Sequence, residues 1–452
     1  MRKRICIGHI LTMIMAAGTL AACGVRQTEQ GEPVEIRSRE DIRLLDYPAV
    51  DSYDGSLPQG INGFACGVAE RLADGEENYF FSPYSLCTAL SILDHAAGGE
   101  TKNQIENLLG ISDLMDWAMQ MELYGEEEQP EQAKLTCANS LWLSKQQPLS
   151  DKMYEDFIPA VNNYYGVQLY QADFRKDPEG VRQKINDWIS DHTGGMIKNL
   201  KESVDPDTVL SLINAVYFYG EWTYPFSAEG TYPQTFYGTE QESTVDMMHK
   251  GEFRLPYYQK DGLCGLSLPY GDGSKVMNLL IPVREEGSGE AGAEGEPQSG
   301  TDGLQASAPE LFLELSTEEK NEFLTNLMNA DAAEIRHLQM PRFSMEYTVT
   351  ELIGLLEEMG MVNAFDRTLA EFPGIGEVYI SDAAHKAKLE VDELGSRAAA
   401  VTEYAVAEAA EEPEETESIE FIVDRPFVFT IQDKETEIIL FMGQVNNLEG
   451  TE

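Results

Sequence analysis

The spacing of apolar side chains changes several times along this chain, and each change marks an element. The longest apolar run, VLSLINAVYFYGEWTYPF from Val209 to Phe226, is nearly continuous and rich in β-branched and aromatic residues. It predicts a central strand covered on both faces. ANSLWLSK, Ala138 to Lys145, alternates as a strand does, and GLSLPY and KVMNLLIP add further strands within Phe236 to Pro282. Elsewhere the period lengthens. Lys152 to Tyr165 and Asp177 to Met196 predict helices, the second with Val181, Ile185, Trp188 and Ile189 on one face. An aromatic strand end meets Ser82-Pro83, which predicts a helix start, followed by the small residues Ala89, Ser91, Ala96 and Ala97. A helix from Thr317 to Met328 precedes HLQMPRFSMEYTV, then helical LIGLLEEMG, then VYISDAAHKAKLEVDE. This alternation predicts an α+β body, one large sheet with helices across it and a smaller barrel-like sheet.

One stretch has a strand's pattern but no evident place in a sheet. From Ser396, every second residue is small or apolar (Ser396, Ala398, Ala400, Thr402, Tyr404, Val406), while Arg397 and Glu403 fall on the other register. The run then dissolves into EEPEETE, like charges broken by Pro413. Alanine and glutamate also suit a helix. Gly395 before the run, and Val401, Thr402, Tyr404 and Val406 within it, favour an extended chain instead. The reading is an exposed loop able to become a strand.

The first residues, Arg2, Lys3 and Arg4, precede a short apolar run and then Leu20-Ala21-Ala22-Cys23, the pattern of a secretory signal over residues 1–22. Residues 23–58 are polar and read as a tether, leaving 59–452 as one globular unit. Losing the three basic residues takes the formal charge from −47 to −50, which repels nucleic acid and anionic lipid. Cys66, Cys87, Cys137 and Cys264 lack the spacing of a disulfide framework or zinc site and read as buried thiols. Residues 285–309, rich in glycine, glutamate and serine, read as a disordered acidic insertion.

HKAKLEVDELGSRAAAVT, His385 to Thr402, resembles the hinge signature of the serpins, inhibitors that trap serine or cysteine proteases. DRPFVFTI, Asp424 to Ile431, resembles the same family's second signature. The resemblance implies a large, mainly antiparallel sheet A, further sheets, about eight to nine helices and a hinge and reactive-centre loop over residues 393–420. It implies hinge roles for Glu393, Gly395, Ser396, Ala398, Ala399, Ala400 and Thr402. It places Ser82, Ser85, Asn214 and His385 in the shutter, where the sheet parts, and Trp222 and Arg342 in the breach, where the loop begins to enter. Arg342 is expected to contact Glu393 there as a largely exposed pair. Leu394 and Arg397 depart from the family's usual polar residues and are expected to face outward. LAAC resembles a bacterial lipobox, implying lipid on Cys23 and an extracellular protein that is membrane-anchored or released.

The hinge count puts the scissile bond at Ala409-Ala410, which suits elastase-like proteases and excludes trypsin-like ones, since no Arg or Lys lies nearby. Measured back from Pro426, the loop is about six residues longer than the family pattern the resemblance implies, and that count gives Glu415 instead, so Glu408 to Glu415 brackets the bond. The acidic MELYGEEEQPEQ stands where heparin-binding serpins are basic, which argues against that activator. Six scattered histidines and GDGS offer no metal site, nucleophile elbow or other catalytic set, and no cofactor is implied. The expected protein is a monomeric, non-enzymatic inhibitor forming a covalent complex with a protease; the alternative is a serpin-fold carrier that does not inhibit.

Overall fold

The computed structural model describes residues 33–36, 56–73, 77–126, 131–284, 306–349, 351–396 and 418–450. In chain order its elements begin β1 (Val34–Glu35), α1 (Ser56–Leu72), β2 (Tyr79–Phe81), α2 (Pro83–Asp94), α3 (Gly99–Leu109), α4 (Leu114–Glu126) and β3 (Ala133–Ser144). They continue α5 (Ile158–Tyr164), β4 (Gln168–Ala172), α6 (Pro178–His192), β5 (Leu210–Glu221), β6 (Thr231–Tyr237), β7 (Glu242–Lys260), β8 (Leu263–Tyr270) and β9 (Lys275–Pro282). The remainder is α7 (Ala308–Glu314), α8 (Thr317–Met328), β10 (Ala332–Pro341), β11 (Phe343–Val349), α9 (Leu352–Glu358), β12 (Ile380–Asp392), β13 (Gly395–Ser396), β14 (Ile419–Ile422), β15 (Phe427–Asp433) and β16 (Ile439–Val445).

The strands form two sheets. A seven-stranded sheet runs β1-β4-β3-β5-β13-β12-β11, and a nine-stranded one runs β14-β10-β7-β8-β9-β15-β16-β2 with β6 on β7. The first is mixed: β3 pairs antiparallel with β5, but β5 and β12 run parallel from Ile380↔Leu210 to Lys388↔Tyr217. Above that point the two strands admit β13, which is antiparallel to both.

The long apolar run becomes β5, and alternation divides its side chains between the faces. Leu210, Leu212, Val216 and Phe218 join the main core with α1, α2 and α3, while Ile213 and Ala215 pack with Val181, Ile185, Trp188 and Ile189 of α6. Asn214 therefore faces α2, whose start is capped by Ser82 with Pro83 in its first turn. All of α2 is buried, so every polar group along it needs a partner within the fold.

Several boundaries differ from the sequence reading. The tether was read as free of structure, yet Val34 and Glu35 pair with Gln171 and Tyr170 on the sheet's edge, because even a short extended segment satisfies an open edge. Helix α1 begins at Ser56, inside the tether's expected span. The acidic insertion ends earlier than 309: Ser307 and Glu310 close a capping box, and with Pro309 in the first turn they start α7. Ala96 and Ala97 lie beyond α2, and the helix expected from Lys152 opens with a π-helical turn at Met153–Phe157. Glycines 194 and 195, at φ 59° and 79°, stop the helix expected to reach Met196.

Asp94 ends α2, where a negative charge meets the negative end of the helix dipole. Its Oδ2 pairs with Lys102 Nζ at 2.9 Å, but Oδ1 is buried without a hydrogen-bond partner. Burial outweighs Lys102 and pushes this carboxyl up to about 6. A folded-state value above the unfolded one means the contribution is full below about pH 4 and lost as pH rises through 6. Asp94→Asn is therefore expected to stabilise the fold at pH 7.5 by about 1–2 kcal/mol and to flatten this part of the pH profile, read by denaturant unfolding.

Candidate functional site

Two polar clusters sit along the junction of β5 and β12. In the lower one, His385 lies opposite Asn214 in the parallel register, and both are fully buried. The Ser82 backbone N–H donates to His385 Nε2 at 3.2 Å, so that nitrogen carries the lone pair and the proton is on Nδ1. Nδ1 then donates to Asn214 Oδ1. With its oxygen so assigned, Asn214 uses Nδ2 to donate to Ser85 Oγ at 2.7 Å, Asn139 Oδ1 at 2.5 Å and the Ser85 carbonyl at 3.1 Å. Ser82 Oγ donates to the Leu440 carbonyl at 2.6 Å and accepts from Ser85 N. One network thus joins α2, β3, β5, β12 and β16. Burial pushes His385 down to about 3, which keeps the imidazole neutral and the tautomer fixed.

The upper cluster surrounds β13. Leu394 N and Gly395 N both donate to Asp392 Oδ1, at 2.8 and 3.1 Å, which folds the chain back after β12. Gly395 has φ 149°, and a Cβ there would lie 1.9 Å from the Gly220 carbonyl oxygen. Only glycine lets the backbone pass so close to β5. Trp222 fixes the same turn with three groups: Nε1 donates to the Asp392 carbonyl, its N–H to the Leu394 carbonyl (both 2.9 Å), and its ring stacks on Tyr270 with centroids 4.4 Å apart. Phe226 N donates to the Glu393 carbonyl at 2.8 Å.

Arg342 Nε donates to Glu393 Oε2 at 2.9 Å, its Nη2 to Oε1, and Nη1 pairs with Asp246 at 3.3 Å. Thr231 Oγ1 also donates to Glu393. The pair was expected to be largely exposed, but the Glu393 side chain is only 8% accessible against 42% for Arg342. The backbone bond from Phe226 draws the glutamate inward, and three side-chain donor contacts to its carboxylate compensate. Burial alone would raise the Glu393 carboxyl; Arg342 and Thr231 hold it below its usual value.

The structure therefore brings Ser82, Ser85, Asn214 and His385 into one network, and Trp222, Arg342, Glu393, Gly395 and Ser396 into another. Cys23, Ala398, Ala399, Ala400, Thr402, Ala409 and Ala410 lie outside the described residues. Leu394, expected to face outward, is half-buried. Sequence reasoning missed Asn139, Thr231, Asp392 and Tyr270. Asn139 stood in a strand whose alternation was noticed, and Asp392 two residues before Leu394 is an Asx-turn signal; Thr231 and Tyr270 carry no local one.

A family model described as Serpin (serine protease inhibitor) matches residues 59–448. An uncharacterized serpin-like protein of Thermococcus kodakarensis is 33% identical over 86% of this chain and 84% of its own. The leukocyte elastase inhibitor of Xenopus tropicalis is 32% identical over 84% of this chain and 95% of its own. The native-state crystal structure of the thermophilic serpin tengpin superposes with a TM-score of 0.74 at 26% identity, covering 89% of this chain and 96% of that one.

The neutral state of His385 has a measurable consequence. Its folded value lies below the ordinary 6.5, so its contribution is full above pH 6.5 and lost as pH falls from there toward 3. Between pH 7.5 and 5, wild type is expected to lose about 2 kcal/mol more than His385→Gln, measured as the difference in denaturant unfolding free energies.

Proposed function

The chain belongs to the serpin family, and from that premise we propose that it inhibits serine proteases as a suicide substrate. The reading rests on one observation. A two-residue strand, Gly395–Ser396, is wedged between β5 and β12, antiparallel to both, at the head of a seam where those strands are otherwise paired with each other. The residues that follow carry small side chains at alternate positions, so extending β13 down the seam would bury Ala398, Ala400 and Thr402 without desolvating a charge.

In the proposed mechanism the protease serine attacks the carbonyl carbon of Ala409. Its Oγ–C ester bond forms as the Ala409-Ala410 peptide bond breaks, and the downstream segment leaves as a free amine carrying the proton relayed by the protease histidine. The upstream segment, released at one end, extends β13 between β5 and β12 and drags the esterified protease with it. Displacement pulls the ester carbonyl out of the oxyanion hole, and deacylation stalls. The lower network is what must part: the His385 to Asn214 bond spans the two strands that separate.

Alanine on both sides of the scissile bond favours proteases with small specificity pockets, and a relative at 32% identity is a leukocyte elastase inhibitor. Incubation with an elastase-like protease is expected to yield an SDS-resistant complex and a released peptide starting at Ala410, within the Glu408 to Glu415 bracket. The cut protein should melt higher than the intact one. Cleavage at that bond with no complex would overturn inhibition in favour of a non-inhibitory carrier.

The Leu20-Ala21-Ala22-Cys23 sequence supports a second part of the reading: a bacterial lipoprotein cleaved before Cys23 and held outside the cell membrane through lipid on that thiol. Expressed with its full leader in a bacterium, wild type is expected to partition into detergent and Cys23→Ser into the aqueous phase. Aqueous wild type would remove the anchor from the proposal.

A further inference from the structure

The hinge residue Ser396 is fully buried, and its hydroxyl hydrogen-bonds the phenol of Tyr270 at 2.6 Å. Tyr270 is the last residue of β8, in the other sheet, and is itself fully buried between the Trp222 ring and the edge of Phe218. It reaches Ser396 across a position without a side chain. Gly220 is the β5 residue paired with Ser396, and a Cβ there would lie 2.6 Å from the Tyr270 ring and 2.5 Å from that of Phe218. The sequence thus leaves a hole in β5 at the point where a phenol crosses to meet the hinge.

We infer that Tyr270 is a positioning residue for loop insertion, its hydroxyl holding Ser396 in the seam before any protease arrives. This inference rests on the inhibitory reading and deepens it. Ser396 is the first residue of the segment that would enter, and β13 already pairs on both sides, so its place does not change when the strand lengthens. Insertion then starts from an ordered end and adds residues one after another, rather than having first to find the seam. That matters because insertion competes with deacylation: a hinge that must first be captured gives the protease time to hydrolyse the ester and leave. Burial pushes the Tyr270 phenol up, so it stays a hydroxyl, able to donate or accept, at every pH at which the protein is folded.

A double-mutant cycle tests this. Tyr270→Phe keeps the ring that stacks on Trp222 but leaves the Ser396 hydroxyl buried and unpaired; Ser396→Ala leaves the phenol unpaired; the double variant removes both polar groups together. Two quantities are read on the full chain: amide hydrogen exchange over residues 394–396, and the number of inhibitor molecules consumed per elastase-like protease trapped. Each single variant is expected to exchange at least tenfold faster in that segment and to raise consumption at least threefold, with the double variant no worse than either single in both, because all three lack the same bond. A Tyr270→Phe protein that melts lower but keeps wild-type exchange and consumption overturns the inference, as does a double variant that merely adds the two defects. If wild type traps no protease at all, the inhibitory reading fails and the role in insertion goes with it; wild-type trapping with unaltered variants removes the role of Tyr270 alone.

Discussion

The structure turns on the parallel contact between β5 and β12. Two neighbouring strands that point the same way leave between them a slot that a strand running the opposite way can bond on both sides, and the chain leaving β12 reverses at Asp392 to supply one. Because the reversal takes only Glu393 and Leu394, β13 starts beside the strand it came from, with Ser396 facing Val391 on one side and Gly220 on the other. The fork between β5 and β12 is therefore held open by the chain's own continuation.

Below the fork the seam is shut by polar groups rather than by apolar packing. Asn214 and His385 satisfy each other and two serines of α2, and none of these groups has water as a fallback. Unpaired, each would carry the full desolvation penalty of a buried polar group, so they stay together or part as a set. Above the fork the Glu393 side chain is tied by Arg342 and Thr231, Trp222 donates to the carbonyls of Asp392 and Leu394, and Phe226 donates to that of Glu393 between them. The lower network ties β5 to β12 below the fork, and the upper one fixes the turn above it.

Much of this was legible in the chain. Period-two and period-3.6 patterns located most strands and helices, since burial on one face imposes them directly. β5 was legible as a central strand because both of its faces are covered. The resemblance to serpins pointed to Ser82, Ser85, Asn214 and His385, and these share one network. What could not be read was distance across the fold. Tyr270 looked like an ordinary strand end, since nothing near it in sequence shows that Gly220, in a different sheet, makes room for its ring. The burial of Glu393 was likewise invisible: charge and an arginine partner suggested the surface, whereas a backbone bond from Phe226 draws it in.

The pairing of Val34 and Glu35 with β4 occupies backbone donors and acceptors on the outer margin of the seven-stranded sheet. Those are the groups through which an extended segment from a neighbouring molecule would add itself to that margin. A sheet that seats Gly395–Ser396 in one internal slot thereby carries, at its outer border, a short piece of its own chain that competes with intermolecular β-pairing and so works against aggregation.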